Sequence, residues 1–294
     1  MFVSAIELAS GFTRPIHSIA RFYGSTSIVP GAATLFFVNP DGWAITCGHV
    51  ARQLLAADHM IAAFEAFKLE RSALTSHKKR GAALRKLETR YGYNVEAVVE
   101  LYSLFVGCIE GPLNAEVMLH PDLDMALVKF HGFTRLLCTA FPVFASDGTQ
   151  LKQGRFLCRL GYPFPEFNNY EHDPVSDRIR WTATGRQATP RFPIEGMVTR
   201  QLLNGAGAIV GFELSTPGLR GQSGGPAFDS EGRVWGLQAA TAHLDLDFDV
   251  DAEVQRGRNR KRITANSFLH VGHCLEVEVI KRFMREKGVS FREG

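Results

Sequence analysis

Apolar residues fall into short runs separated by turn residues along most of the chain. Clusters of turn residues at Asn39–Gly42 and Asp229–Gly232 favour hairpins between neighbouring runs. Many short β-rich runs without regular intervening helices are typical of a sandwich or a barrel, so the pattern predicts an all-β protein. The predicted strands are 33–38, 43–47, 97–106, 116–119, 125–130, 155–160, 197–203, 208–214, 227–229 and 234–242.

Two segments differ from this pattern, and their composition and spacing predict helices. The first, Ala51–Arg90, is rich in Ala, Leu, Glu, Lys and Arg and has few turn residues. Its part Lys68–Arg90 carries eight Lys and Arg against two Glu. The second is Leu275–Lys287, where apolar residues at helical spacing precede Gly288 as a stop. No repeat, low-complexity tract or linker divides the chain.

Composition limits the classes of function that the chain can have. The chain has 294 residues, 45% hydrophobic and 21% charged, which is typical of a folded protein with a sizeable core. A net charge of +3 argues against nucleic acid as the main partner. Five widely spaced cysteines without a CxxC pair predict free thiols in a reducing compartment and no metal site, and no cofactor is predicted. Without a basic leader or a long apolar run, we expect a cytoplasmic protein that does not contact a membrane.

The segment Gly221–Pro226 carries the most informative motif, a serine with glycines on both sides. Glycines permit a tight turn with unusual backbone angles. Such a turn can direct the Ser223 hydroxyl outward while the N–H groups of Gly221 and Ser223 converge. Taken by itself, the hexapeptide also fits an ordinary glycine-rich loop.

A histidine and an aspartate stand upstream of this serine. His49 follows the apolar strand Ala44–Cys47, and Asp124 directly precedes the apolar run Met125–Phe130. A serine hydroxyl is a poor nucleophile without an adjacent base, and the base needs a carboxylate to hold its tautomer. Asp122 is the competing candidate for that carboxylate.

Taken in chain order, the three motifs resemble the chymotrypsin-like serine proteases, especially the bacterial trypsin-like peptidases and the protease domain of the HtrA (Deg) group. The order His, Asp, Ser differs from the subtilisin-like and α/β-hydrolase orders. Leu160–Pro163 is similar to a Gly-x-Pro turn of the Deg-like group, and Asn266–Arg285 is similar to its closing strand and helix.

The resemblance implies two six-stranded β-barrels with the catalytic triad in the cleft between them. Residues 1–135 would form the first barrel, with a helical, basic insertion at about 51–95, and residues 136–294 the second barrel with a C-terminal helix. It also implies a serine endopeptidase that acts on protein or peptide substrates through an acyl-enzyme. His49 would take the Ser223 proton and Asp124 would orient His49, while the N–H groups of Gly221 and Ser223 would form the oxyanion hole.

The resemblance also places the pocket for the residue before the scissile bond. This pocket would lie between the stretch that precedes the serine and the strand that follows it. Pro217 stands where a carboxylate would select Lys or Arg, so a small or apolar residue is predicted, with an acidic residue as the alternative if Arg220 or His243 faces the pocket. The candidate pocket residues are Pro217, Arg220, Gln238, Ala239, Ala240 and Thr241.

Three features depart from the family pattern. Gln222 replaces the aspartate that pairs with a newly released N-terminus in digestive members, so we expect loop ordering rather than N-terminal trimming to control activity. The basic part Lys68–Arg90 lies in the 75-residue interval between His49 and Asp124 and is either a solvated insertion or a docking arm for a regulatory partner. No C-terminal PDZ module is expected.

The stretch 244–262 and the overall function each leave alternatives open. Alternating aspartates at 245–251 and basic residues at 256–262 fit a long hairpin whose charges neutralise each other, or a regulatory loop or Ca²⁺ site. The alternatives to peptidase activity are a non-catalytic protease-fold binding or scaffold protein and, through the basic segments, nucleic-acid binding.

Overall fold

The computed structural model describes residues 1–74, 80–257 and 259–294. Residues 75–79 of the predicted helical segment and Arg258 of the predicted basic stretch lie outside the described residues. The helices are α1 Val3–Ser10, α2 Gly48–Ser72, α3 Arg80–Tyr91 and α4 Val277–Glu286, with a short 3₁₀ turn at Gly148–Gln150.

The described part of the chain is mostly β, as predicted. Its strands are β1 Thr13–Phe22, β2 Ile28–Phe37, β3 Trp43–Thr46, β4 Val98–Phe105, β5 Ile109–Glu110, β6 Asn114–Leu119, β7 Ala126–His131, β8 Arg135–Leu136, β9 Val143–Phe144, β10 Phe156–Gly161, β11 Tyr170–Asp173, β12 Arg178–Trp181, β13 Phe192–Leu203, β14 Ile209–Leu214, β15 Pro226–Phe228, β16 Arg233–Arg256, β17 Asn259–Glu276 and β18 Arg292–Glu293.

Two large sheets contain most of these strands. The first has six strands in the order β4-β1-β2-β3-β7-β6, and its edge strands β4 and β6 do not pair within the described residues, so it stays open like half a barrel. The second has eight strands in the order β15-β10-β13-β14-β17-β16-β9-β18, and an additional β15–β16 pairing joins six of them into a ring. β11 with β12, and β5 with β8, form separate two-stranded sheets.

One hydrophobic core connects the two large sheets. Phe36 on β2 lies 6.2 Å from the ring of Phe12 and 6.3 Å from that of Phe144 on β9, measured between ring centroids. All three phenylalanines are completely buried. Because the core is continuous, β2 of the first sheet is held against the second sheet. The serine motif is hydrogen-bonded to both sheets, through Thr34 on β2 and Gln238 on β16.

The strand β1 was not predicted because buried polar residues interrupt its apolar pattern. His17 stacks on Phe167 with ring centroids 4.1 Å apart and shares a hydrogen bond of 2.8 Å with the Thr189 hydroxyl. Arg21 donates to a Glu100 carboxylate oxygen at 2.5 Å. Burial of such polar groups costs free energy unless they are hydrogen-bonded or paired with an opposite charge. The hydrophobic periodicity of the sequence does not show which distant residues provide these partners.

The predicted helical segment forms two helices, α2 and α3, with a small core of their own. Phe64 and Phe67 on α2 pack with Leu87 on α3 and Val99 on β4. Lys68 is salt-bridged to Glu65 at 2.8 Å. Lys68 and Arg90 of this segment therefore have acidic partners within the chain, Glu65 and Glu70. Docking of a regulatory protein on 68–90 stays a prediction. No helix among the described residues is long and apolar enough to cross a membrane.

The charged stretch 244–262 forms the predicted long hairpin from β16 and β17. Arg262 donates to Asp251 at 2.6 Å, an ion pair that joins the acidic strand to the basic one. The strict alternation of the aspartates is interrupted, because the strand register shifts between Asp245 and Asp249 and Asp247 has a φ of 55°. The four aspartates therefore do not form one regular row on a flat strand.

Glu276 directly precedes α4, and the burial of its carboxyl group leads to a testable prediction. Its Oε2 accepts from the Glu278 N–H at 2.7 Å, whereas its buried Oε1 has no partner among the described residues. Burial raises the pKa of Glu276 from 4.5 to about 7. At pH 8 the unfolded chain ionises this carboxyl freely, but the folded chain must bury the charge, so the residue then lowers the free energy of unfolding.

Replacement of Glu276 by Gln keeps an oxygen for the cap and removes the titration. We expect the variant to gain about 1–3 kcal/mol in free energy of unfolding at pH 8 and little below pH 4.5, measured by urea denaturation at both pH values. Glu286→Gln, an exposed change on the same helix, is the control. An equal shift at both pH values would show that burial of the Glu276 charge is not the cause.

Candidate active site

His49 is placed by the junction of a strand and a helix. β3 ends at Thr46, and α2 begins at Gly48, so that His49 lies in the first turn of the helix. A Cβ atom at Gly48 would lie only 3.1 Å from Asp124 Oδ1. The small residue that precedes the histidine thus lets the carboxylate come close to the backbone.

His49 and Asp124 are joined by two hydrogen bonds. The His49 backbone N–H donates to Asp124 Oδ1 at 2.7 Å, and the ring Nδ1 lies 2.7 Å from Oδ2. An Nδ1–H that donates to the carboxylate leaves Nε2 without a proton and able to act as a base. Asp124 thereby holds both the position and the tautomer of the imidazole.

Asp124 remains ionised in this arrangement. Burial would raise its pKa, but the hydrogen bonds and charge interaction with His49, together with the positive charge of Arg52, outweigh it, and the pKa lies below its usual value. Arg52 Nη1 is 3.6 Å from Asp124 Oδ1. Arg52 is one helical turn after His49, a spacing that could have identified it in the sequence.

The competing carboxylate, Asp122, is exposed and belongs to the turn before β7. Its N–H donates to His120 Nδ1 at 3.1 Å, and the N–H of Leu123 donates to the same atom at 3.0 Å. Of the two aspartates, the structure therefore brings only Asp124 to His49.

The serine motif folds as a tight loop that only glycine permits. Gly221 has a φ of 101° and Gly224 a φ of 90°. A Cβ atom at Gly224 would lie 2.1 Å from the Thr34 carbonyl oxygen. Thr34 on β2 holds the loop from the other side: its N–H donates to the Ser223 carbonyl at 3.0 Å, and its hydroxyl donates to that of Gly221 at 2.7 Å. Sequence reasoning missed Thr34, which is an ordinary strand residue by pattern.

The N–H groups of this loop divide into two sets. Within the described part of the chain, those of Gln222, Gly224 and Gly225 each donate to a protein carbonyl, whereas those of Gly221 and Ser223 donate to none. N–H groups left without a protein acceptor are free to donate to a bound oxyanion.

Gln222, which stands where digestive members have an aspartate paired with a new N-terminus, is completely buried. It makes amide hydrogen bonds instead of that ion pair. Its Oε1 accepts from the Leu219 N–H at 3.0 Å, and its Nε2 donates to the Phe192 carbonyl at 3.0 Å. These neutral bonds hold the loop before Ser223 without the charge of a new N-terminus. The expected control by loop ordering remains a prediction.

A cavity of about 560 Å³ opens at this site. His49, Arg220, Gly221 and Ser223 line it together. Asp124 is not among its lining residues and contacts the opposite nitrogen of the imidazole. The cavity can therefore bring a bound molecule to His49 and Ser223 while the carboxylate stays on the far side of the ring.

Among the described residues, the one group that could hold a metal ion consists of Cys47, His49 and Asp124, whose ligand atoms lie within 4.8 Å of one another. Burial and the nearby Asp124 carboxylate raise the pKa of the Cys47 thiol, and its Sγ donates to the Gln238 carbonyl at 3.1 Å. A metal would require the thiolate. This chemistry favours a hydrogen-bonded His–Asp pair over a metal centre.

A family model described as a trypsin-like peptidase domain matches residues 33–237, more than half of the chain and all three motifs. The chain belongs to the trypsin-like peptidase family. No curated protein sequence matches it.

Two solved structures are compared with this trypsin-like peptidase. An HtrA-type protease, AlgW with decapeptide, has a TM-score of 0.51 and 10% identity, with 97% of this chain and 67% of that chain covered. The Rv3671c protease from M. tuberculosis in its active form has a TM-score of 0.47 and 13% identity, with 99% and 86% covered. At this level of identity the first similarity concerns the fold.

The predicted pocket residues of this trypsin-like peptidase are placed in two groups. Arg220 lines the cavity, whereas the other five do not. The Gln238 side chain is buried, with its Nε2 donating to the Ala240 carbonyl at 2.7 Å, and the Thr241 hydroxyl donates to the Gly218 carbonyl at 2.6 Å. The two segments predicted to wall a pocket are therefore in contact with each other. His243, the second residue considered for acidic selectivity, pairs with His270 on the exposed hairpin.

Proposed function

We propose that this trypsin-like peptidase is a serine endopeptidase with Ser223 as nucleophile, His49 as base and Asp124 as the orienting carboxylate. The observation that carries the proposal is the His49 ring, bonded through Nδ1 to Asp124 at 2.7 Å and lining the same cavity as Ser223. The unprotonated Nε2 is then available to take the serine proton. The double-barrel arrangement of the family belongs to the same proposal and is supported by the ring of six strands in the second sheet.

The reaction would proceed in two acyl transfers. His49 removes the Ser223 proton as the hydroxyl oxygen attacks the peptide carbonyl, and the N–H groups of Gly221 and Ser223 stabilise the oxyanion. His49 then protonates the leaving amine, and the acyl-enzyme forms. In the second half His49 takes a proton from water as the water oxygen attacks the ester carbonyl. His49 then gives this proton to the Ser223 oxygen as the ester bond breaks, which releases the carboxylic acid.

Peptide or protein is the proposed substrate class. The HtrA-type protease with a similar fold is described with a decapeptide. We propose that the cavity beside Ser223 takes an extended peptide. A cytoplasmic location also stays a proposal, supported by five cysteines that are all unpaired.

Covalent labelling tests the proposed chemistry directly. We expect a fluorophosphonate to modify the full-length protein once, at Ser223, because only an activated serine reacts at useful rates. Mass spectrometry of a digest locates the adduct. A known serine protease in the same reaction controls for the reagent. Absence of an adduct on Ser223, with the control protease fully labelled, would favour the alternative of a protease-fold binding protein without turnover.

A further inference from the structure

Arg159 on β10 is a completely buried cation that has no carboxylate partner among the described residues. Its Nη1 donates to Gln238 Oε1 at 2.6 Å, and its Nη2 donates to the Thr216 hydroxyl at 2.6 Å and to the carbonyls of Thr216 and Pro217 at 3.0 and 3.1 Å. Its Nε has no partner among the described residues. All these acceptors are neutral, so the guanidinium charge is not compensated.

Other buried cations of the described chain have carboxylate partners. Arg21 and Lys281 are almost completely buried, and each is paired with two acidic side chains. A buried charge is costly unless it is paired, and proteins seldom keep one without a use for it. Arg159 departs from this rule and therefore points to an anion that binds there. The partners of the other two cations are Glu100 and Asp177 for Arg21 and Glu278 and Glu293 for Lys281.

The position of Arg159 relates this anion to the peptidase site. Thr216 and Pro217 belong to the stretch that leads to Ser223, and Gln238 belongs to β16 just before Ala239–Thr241. Arg159 therefore bridges the two segments on either side of the predicted pocket. Gly272 on β17 leaves the space for it, since a Cβ atom there would lie 2.1 Å from Arg159 Nη1.

Gln238 occupies the place that a carboxylate would take. Its Oε1 accepts from the guanidinium at 2.6 Å, as a carboxylate oxygen would, but without the charge. The hydrogen bond between Thr241 and Gly218 spans the two segments, and a Cβ atom at Gly218 would lie 2.2 Å from Gln238 Nε2. In this conformation the space beside Arg159 is filled by the chain's own amide.

We propose that Arg159 forms the base of the pocket for the residue before the scissile bond and selects Asp or Glu there, the substrate carboxylate displacing the Gln238 amide. This inference rests on the proposed peptidase function and names its substrate class. Binding requires the Gln238 side chain to rotate away and the Thr241–Gly218 hydrogen bond to break. A carboxylate gains charge-assisted hydrogen bonds that the amide lacks, which provides the driving force.

Peptidyl phosphonates test this selectivity separately from catalysis. These probes carry one peptide sequence with Glu, Gln, Ala or Lys next to the reactive phosphorus, and the rate of Ser223 modification is measured for each. We expect the Glu probe to react about 30-fold faster than the Gln probe, whose shape is the same but whose charge is absent. Equal rates for Glu and Gln, or a preference for Ala or Lys, would overturn the inference even if a simple fluorophosphonate labels Ser223. No labelling by any probe would instead contradict the proposed function.

Two substitutions at the base of the proposed pocket, one at Arg159 and one at Gln238, make the test more specific. In Arg159→Met, a side chain of similar length without charge, we expect the Glu-to-Gln rate ratio to fall to about one. In Gln238→Glu, the chain supplies its own carboxylate to Arg159, and we expect the advantage of the Glu probe to disappear because the site is already occupied. A Glu preference that survives both changes would assign the selectivity to another group. If Arg159→Met does not fold, the Glu-to-Gln rate ratios of the wild-type protein and of the Gln238→Glu variant still test whether Arg159 selects an acidic residue.

Discussion

Replacement of Ser223 by Ala is expected to lower kcat for peptide hydrolysis about 10⁶-fold, which corresponds to about 8 kcal/mol of transition-state stabilisation. The loss is this large because the variant has no nucleophile for the acyl-enzyme. His49→Ala should cost about as much, since an unactivated hydroxyl is almost as poor. The two losses should not add in the double variant, because base and nucleophile act as one unit.

Turnover of a fluorogenic peptide, or the amines released from a protein substrate, gives kcat for each variant. Ser176→Ala, a change of a serine in the surface turn between β11 and β12, is the matched control and should retain activity. Additive losses in the Ser223 and His49 double variant would show that these residues do not cooperate in one step. An active Ser223→Ala enzyme would remove the basis of the proposed mechanism.

Replacement of Asp124 by Asn is expected to lower kcat about 10⁴-fold with little effect on the fold. An amide keeps the shape of the carboxylate, but its NH₂ group donates to His49 Nδ1, which places the imidazole proton on Nε2. That tautomer cannot take the serine proton. The change converts the 2.7 Å bond between His49 Nδ1 and Asp124 Oδ2, whereas the His49 backbone N–H can still donate to the remaining amide oxygen.

Asp122→Asn is the control for this prediction, because it makes the same chemical change two residues earlier at an exposed position. We expect it to change kcat less than about twofold, in line with other surface substitutions. The ratio of the two variants in one peptide assay separates the role of Asp124 from a general effect of negative charge near the site. Equal losses in both variants would contradict the assignment of Asp124.

Local patterns in the sequence located most elements that carry the site. The strand before His49, the strand after Asp124 and the glycine-rich serine loop were all predicted, because each is marked by apolar alternation or by glycine within a few residues. The helix α1 and the strand β1 were missed. His17 and Arg21 interrupt the apolar pattern of β1, and their buried partners come from distant parts of the chain.

The pocket shows the limit of motif reasoning most clearly. The resemblance to the protease family implied that Pro217 lies at its base. The structure brings Arg159 to the same segment, from a strand more than fifty residues earlier, with its guanidinium donating to the Thr216 and Pro217 carbonyls. An arginine inside an apolar strand gives no local sign of what it faces.

The sequence by itself determined the chain order of the histidine, aspartate and serine motifs and made His49, Asp124 and Ser223 candidates, since each lies in a short motif whose backbone requirements are local. Tertiary structure alone decided which carboxylate meets the imidazole, which N–H groups of the serine loop stay unpaired, and which buried cation contacts the stretch before Ser223. These outcomes depend on contacts between residues far apart in the chain, and hydrogen bonding and burial act through space rather than along the sequence.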